Sequence, residues 1–264
     1  MPVRLCVFGD IHGNAVALHA VLAAIAAEDA DLLACTGDCV FGWGQPEACL
    51  QAVAAVGCPW VTGNADQAVL GTPGFRPAGP AAAAWNRERL GPAGLRRLAA
   101  LPAGIRLHLR LGGTVHLVHG CPPARIEPGV RPAGLHEWTD NVTDDGDVEA
   151  GWGAQPPDLL LCGHTHVPTV RRIGPTLICN PGSVGYGIHP AAPARYQTGN
   201  AVARYAVLDW DGIWRAAIRA VPYDTESALA ALEGLPWLDA IELRRRAAFL
   251  QQAPVAPGPE PVQG

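Results

Sequence analysis

The sequence predicts an α/β fold, and three observations carry that prediction. Over residues 3–64, apolar runs short enough to be strands alternate with stretches whose apolar residues recur at helical spacing. Two later stretches, 104–120 and 200–221, alternate on either side of a Gly-Gly and an Asp-Gly, which is a hairpin signal. A chain of 264 residues with 49% hydrophobic content can bury a full core and sits near the upper size of one domain.

Taken in order, "VRLCVFGD" (3–10) is an apolar strand, and 14–29 is a helix behind an Asn able to cap it. "DLLACTGD" (31–38) is a second strand, "PEACLQAVAAV" (46–56) a helix opened by Pro, and "PWVTGN" (59–64) a third strand. Strand, helix, strand in that order predicts parallel pairing. After a Gly/Pro-rich loop at 71–80, residues 81–101 read as one or two helices broken near Gly91-Pro92. The hairpin at 104–120 leads into a Pro-rich loop to residue 138, of a length that tends to be functional. Strands are expected at 158–163, 168–173 and 176–179, a hairpin turning at Asp211-Gly212, and helices at 225–233 and 237–251. One domain over 1–252 is expected, with a Pro-rich tail at 253–264 expected to be disordered. There is no internal repeat.

Composition excludes several function classes. A formal net charge of -5 argues against a protein held to nucleic acid by its overall field, so an anionic substrate must be attracted locally. All 19 basic residues are Arg, which with the abundant Ala, Gly and Pro reads as a composition bias without functional content. No run of about 18 apolar residues occurs, and the first strand and its polar loop come too early for a signal peptide. A soluble cytoplasmic protein with no membrane partner is the expectation. Of the 8 Cys, Cys6, Cys35, Cys58, Cys162 and Cys179 lie in or beside apolar runs and no Cys-x-x-Cys occurs, so they are expected to be reduced core residues. The sequence carries no signal for oligomeric state.

Five apolar runs share one construction, ending in a polar residue beside glycine: "VFGDIHGN", "ACTGDCVFGWGQP", "WVTGNAD", "HLVHG" and "LLCGHTH". Ligands of open α/β sheets gather outside the carboxyl ends of the strands, so these five ends are expected along one edge. They would bring together Asp10, His12, Asp38, Asn64, His119, His164 and His166. Oxygen and imidazole donors without lysine, serine nucleophile or thiolate suit first-row divalent ions such as Mn, Fe, Zn or Ni. Seven donors exceed the needs of one ion but divide well between two if a carboxylate bridges them. Two such ions against two aspartates leave a positive centre, which lowers the pKa of bound water toward ~7 and clamps phosphoryl oxygens, with the ions ~3.5–4 Å apart. The chemistry that follows is hydrolysis of a phosphate ester.

Each donor alone has a plainer explanation. His119 suits a packed strand position, and Asp10, Asp38 and Asn64 suit turns or caps. The joint coincidence points to a metal centre. His19, His108 and His116 are read as structural, and Arg244, Arg245 and Arg246 as a solvated helix face.

The ordered blocks Asp-x-His, Gly-Asp, Gly-Asn, a lone His and Gly-His-x-His, from Asp10 to His166, resemble the calcineurin-like metallophosphoesterases. That resemblance implies a four-layer αββα sandwich, two mixed β-sheets flanked by helices, with "CNPGSVG" (179–185) in the second sheet. It implies two divalent ions, Mn2+ first and Fe, Zn or Ni as alternatives. Asp10, His12 and His166 would hold one, Asn64, His119 and His164 the other, and Asp38 would bridge them and hold the nucleophilic hydroxide. The short length and "VPYD" (221–224) are similar to small bacterial and archaeal phosphodiesterases grouped near diadenosine tetraphosphatase. The expected function is dinuclear hydrolysis of phosphodiesters, phosphomonoesters or both, on a small phosphorylated or nucleotide substrate. The alternatives are a symmetrical dinucleoside tetraphosphatase, an enzyme like the Ser/Thr protein phosphatases, and a scaffold of the same fold. All seven donors are present, which a scaffold does not require.

One block departs from the family's usual pattern. Gly63-Asn64-Ala65-Asp66 stands where Gly-Asn-His and an acidic residue are usual, and alanine cannot donate a proton to a leaving group. Two outcomes are expected: rates that depend strongly on leaving-group acidity, or a loop histidine, His136 or His189, that substitutes as general acid. Asp66 is expected to orient a metal ligand without binding the ion itself. Candidate substrate contacts are Asn64, Arg125, Arg131, His136, Trp138, Tyr186, His189 and Arg195, since Arg pairs bidentately with phosphate and aromatics stack on bases.

Overall fold

The computed structural model describes residues 3–73, 79–109, 113–120, 156–186, 202–239 and 243. In chain order the elements are β1 (Val3–Phe8), α1 (Ala15–Ile25), β2 (Leu32–Cys35), α2 (Pro46–Val56), α3 (Asn64–Leu70) and α4 (Pro80–Ala99). They are followed by β3 (Gly104–His108), β4 (Thr114–Val118), β5 (Leu159–Leu161), β6 (Thr169–Ile173), β7 (Thr176–Asn180), β8 (Val202–Trp210), β9 (Trp214–Pro222) and α5 (Thr225–Ala230).

The strands form two sheets, in the orders β2-β1-β8-β9 and β3-β4-β5-β7-β6. Successive side chains of β1 serve two cores, because a strand alternates its faces. Cys6 and Phe8 pack with Leu18, Val21, Leu50 and Val53 of α1 and α2. Leu5 and Val7 pack with Val115, Leu117, Leu159 and Leu161 of the second sheet. Each buried Val, Leu or Phe among them contributes about 1.5–3 kcal/mol by its burial. The arrangement is the predicted α/β class, two mixed sheets with flanking helices. Cys6, Cys35, Cys39 and Cys49 are buried free thiols, and Cys162 and Cys179 are buried as well. No described helix is long and apolar enough to cross a membrane.

Local signals act as expected at several ends. The Asn14 side chain accepts from the Ala17 N–H at 3.0 Å and caps α1. Pro46 opens α2, and Gly57 closes it in the left-handed conformation at φ 68°. In α4 the break falls at Gly91, whose φ of 58° and ψ of -179° kink the helix before Pro92.

Two expectations need correction. Parallel pairing holds for β1 with β2, but on its other side β1 meets β8 antiparallel, with Val7 opposite Ala206. The "PWVTGN" stretch makes a single bridge from Trp60 to Cys35 and then turns into α3 at Asn64. The cause is local. The Thr62 N–H goes to the Pro102 carbonyl, and the Gly63 N–H goes to the Asp66 carboxylate, which caps the new helix. The helix expected at 237–251 lies almost wholly outside the described residues, as do the expected tail at 253–264 and the Pro-rich loop expected up to residue 138.

What this topology positions is an edge. β1 and β2 run parallel in one sheet, and β4 and β5 in the other. The sheets are tied across that edge by the His164 N–H on Asp10 Oδ1 at 3.1 Å and by His119 Nδ1 on the Thr36 carbonyl at 2.8 Å.

Candidate metal centre

All seven predicted donors lie at this edge, on the segments that leave β1, β2, β4 and β5 and at the start of α3. Their backbone is unusual. Asp10, His12, Asp38, His164 and His166 have φ between 50° and 73°, a region that L side chains rarely adopt. Such conformations cost on the order of 1–3 kcal/mol each and persist where surrounding contacts over-determine them. Those contacts are visible here: the Ile11 and His12 N–H groups both donate to the Asp38 carbonyl at 2.9 Å, and Asp10 N–H to the Gly37 carbonyl at 2.9 Å.

The side chains gather in two halves. Asp10, His12, Asp38 and His166 each offer an atom within 4.8 Å of the others. His12 Nε2 and His166 Nε2 are 2.9 Å apart, and His166 Nε2 is 3.4 Å from Asp10 Oδ1. In the other half, Asn64 Oδ1 is 2.9 Å from His119 Nε2 and 2.6 Å from His164 Nδ1. Asp38 Oδ2 faces both halves, 3.6 Å from His12 Nε2 and 3.3 Å from His119 Nε2. The other oxygen, Asp38 Oδ1, accepts from the Ala65 N–H at 2.7 Å.

Two of the imidazoles have their hydrogens assigned by their neighbours. His12 Nδ1 donates to the Phe41 carbonyl at 3.0 Å and His119 Nδ1 to the Thr36 carbonyl at 2.8 Å. A carbonyl only accepts, so each Nδ1 carries a hydrogen and each Nε2 is aimed at the site, the usual support of a metal-binding histidine. His166 Nδ1 has no such partner among the described residues.

The electrostatics favour positive charge between the two aspartates. Burial pushes the Asp10 and Asp38 carboxyls up, but the histidines beside them, His166 for Asp10 and His119 for Asp38, outweigh it and hold both below the usual carboxylate range. Burial likewise pushes His119 down, and Asp38 outweighs it and holds it up at about 10. His12 is pushed down to about 4 by burial and by His166, and His164 to about 4 by burial and by His119. Two buried carboxylates beside the neutral imidazoles of His12 and His164, with His119 carrying the positive charge that Asp38 draws to this spot, are a donor set suited to divalent cations.

Further residues build the frame, and the sequence had shown only some of them. Asp66 is fully buried and accepts N–H bonds from Cys39 at 3.0 Å, Val40 at 3.1 Å and Gly63 at 3.1 Å. It thereby ties the loop after Asp38 to the turn before Asn64. Burial, and then Asp38, push its carboxyl up to about 7. Asn180 Nδ2 donates to the Gly163 carbonyl at 2.9 Å and to Thr165 Oγ1 at 3.0 Å, and Ser183 Oγ donates to the Asp10 carbonyl at 2.8 Å. A polar residue ending the apolar run "TLICN" needs a buried partner, and that was the available signal for Asn180. At Gly163, a Cβ would lie 2.6 Å from Asp10 Oδ2, so no larger residue fits.

Of the expected substrate contacts, Asn64 and Tyr186 lie at the site. The Tyr186 ring stacks on His166 at 5.9 Å and 10°, and meets His12 edge-on at 5.1 Å and 67°. Arg125, Arg131, His136, Trp138, His189 and Arg195 lie outside the described residues, and with them both candidates for general acid.

Residues 3–204 match the calcineurin-like phosphoesterase superfamily domain. The chain belongs to the calcineurin-like phosphoesterase superfamily. It is a metal-dependent phosphoester hydrolase by that membership. A protein of Methanocaldococcus jannaschii, described only as uncharacterized, is 27% identical over 233 residues, 85% of this phosphoesterase and 89% of the relative. A metallophosphoesterase from Sphaerobacter thermophilus superposes with a TM-score of 0.67 at 24% identity, covering 94% of this chain and 99% of that one. A protein of Pyrococcus horikoshii described as hypothetical superposes at 0.68 and 18% identity, covering 91% and 96%. At these identities the superpositions establish the fold.

Proposed function

We propose that this phosphoesterase is dinuclear and hydrolyses small phosphate esters or nucleotides. Asp10, His12 and His166 hold one ion, Asn64, His119 and His164 the other, and Asp38 both. The observation that carries this reading is the position of Asp38 Oδ2, 3.6 Å from the imidazole of one half and 3.3 Å from that of the other. Bound there, divalent ions supply Lewis acidity toward phosphoryl oxygens and acidify water. Mn2+ is the first candidate for a site of imidazole and oxygen donors.

The chain's own residues do the rest. His12 and His119, anchored through Nδ1, present fixed Nε2 atoms, and Asp38 is held by the Ala65 N–H so that only Oδ2 faces the centre. With Oδ1 of Asn64 turned toward His119 and His164, the amide nitrogen of that side chain is left to donate to a phosphoryl oxygen. Ala65 offers no proton, so the leaving group departs on its own acidity or takes a proton from another residue, with His136 and His189 the candidates.

p-Nitrophenolate departs without a proton, so its esters test the centre separately from any general acid. Metal-stripped protein is titrated with Mn2+, Ni2+, Zn2+ and Mg2+, and hydrolysis of bis-p-nitrophenyl phosphate and p-nitrophenyl phosphate is followed. Turnover is expected to appear with metal, and to fall ~100-fold or more in Asp38→Asn, beyond the loss typical of residues that only support a ligand. Metal-independent turnover, or one bound ion at full activity, would overturn the reading.

A further inference from the structure

We propose that Tyr186 is a positioning residue of the centre: its ring holds the His166 and His12 imidazoles in place, supplying for His166 the anchor that a backbone carbonyl gives His12 and His119. The proposal rests on the reading of His12 and His166 as metal ligands.

The first observation is an asymmetry among the imidazoles. His12 and His119 are fixed through Nδ1 by the Phe41 and Thr36 carbonyls. His166 Nδ1 is buried with no hydrogen bond among the described residues. A ring without that bond is free to turn about its Cβ–Cγ axis unless packing stops it. The packing is Tyr186. Its ring lies nearly parallel to that of His166, 10° between planes at 5.9 Å, and stands at 67° to His12 at 5.1 Å. His12 and His166 also contact one another at 4.8 Å, so the three rings form one cluster.

The second observation is that Tyr186 is itself held. Trp43, 1% exposed, packs against it at 5.7 Å. The hydroxyl end lies over Gly42, where a Cβ would come within 2.8 Å of the oxygen. Gly42 follows Phe41, the residue that anchors His12. The Tyr186 N–H donates to Ser183 Oγ at 2.7 Å, and that hydroxyl donates on to the Asp10 carbonyl at 2.8 Å. Gly185 N–H reaches the same carbonyl at 2.9 Å. The turn from Ser183 to Tyr186 therefore contacts Asp10 through the main chain and His12 and His166 through one ring, which are the three donors of one half. In the other half, His119 and His164 pack on each other at 5.3 Å.

This arrangement predicts a one-sided effect. Metal-stripped protein is titrated with Mn2+ by calorimetry, in wild type, Tyr186→Ala, Tyr186→Leu and Tyr186→Phe. Tyr186→Ala is expected to weaken one ion ~10–100-fold, the usual effect of removing a ligand's support, and to leave the other within about 3-fold. Tyr186→Phe keeps the ring and should bind both ions within about 3-fold of wild type. Tyr186→Leu keeps apolar volume without a flat face and should fall with Ala, so the Leu and Phe pair decides the matter if the Ala variant does not fold. A readout without metal is the His166 Cε1–H proton resonance, which should shift in Ala and Leu while that of His119 stays.

Wild-type affinity for both ions in Tyr186→Ala or Tyr186→Leu would overturn the proposal and leave the dinuclear reading standing. Equal weakening of both ions would also overturn it, as would a Phe variant as weak as Leu, which would assign the effect to the hydroxyl. A wild-type protein that takes up no ion would overturn the dinuclear reading first, and this one with it.

Discussion

Replacing Asp66 separates support from ligation. Its two oxygens accept three backbone N–H groups, from Cys39, Val40 and Gly63. In Asp66→Asn the amide NH2 must face at least one of them. A buried donor left unpaired costs about 1–3 kcal/mol, and the turns carrying Asp38 and Asn64 lose their common tie. We expect urea unfolding to report a loss of about 1–3 kcal/mol. Activity should fall ~10–100-fold through kcat with KM little changed. Wild-type kinetics in a fully folded Asp66→Asn would show that the two turns hold their positions without it. The donors themselves were legible in the sequence, because each is a polar residue placed beside glycine at the end of an apolar run. Ser183 and Tyr186 were not legible in this role. Ser183 reaches Asp10 across 173 residues of chain, and Tyr186 acts on two rings through its position in space. No local pattern encodes such a contact.

At the scale of elements, period and punctuation located most strands and helices, and two features show where that reasoning stops. The run "PWVTGN" has strand composition, yet the pull of Asp66 on the Gly63 N–H turns it into the start of α3, which is how Asn64 comes to face His119 and His164. The pairing of β1 with β8 depends on a partner that begins at Val202, and alternation says nothing about which strand lies beside which. The kink in α4 was legible, since Gly91-Pro92 combines the residue that tolerates unusual φ/ψ with the one that breaks helices. It yields a prediction confined to stability. Gly91 stands at φ 58° and ψ -179°, a conformation nearly restricted to glycine, and a Cβ there would meet nothing within 4 Å. Gly91→Ala therefore pays for backbone strain alone, on the order of 1–3 kcal/mol by urea unfolding, with turnover unchanged. A neutral substitution would mean that the backbone at position 91 relaxes out of the positive-φ region at no cost, which a structure of the variant would reveal.

At the scale of the molecule, the centre belongs to neither sheet. Asp10, His12 and Asp38 leave strands of the first sheet, while His119, His164 and His166 leave strands of the second. Between them lies the shared core of Val7, Ala34, Leu117 and Leu161. A chain in which the sheets have parted separates His166 from the other donors of one ion and His119 and His164 from the other donors of the second, so metal binds the native state and not the unfolded one. The binding free energy then appears as folding stability. An ion at 100 times its dissociation constant contributes about 2.7 kcal/mol, and a domain of this size gains about 2–4 °C per kcal/mol, which gives roughly 5–11 °C for each ion. We expect the thermal midpoint of metal-stripped protein to rise by that amount per ion as Mn2+ is added, and the rise to be mostly lost in Asp38→Asn, since that residue serves both halves. A midpoint unmoved by Mn2+ at concentrations that restore turnover would contradict a centre built across the sheets. It would require the working ion to be held by donors from one sheet alone, and Asp10 and His166, 3.4 Å apart, would then have to act separately.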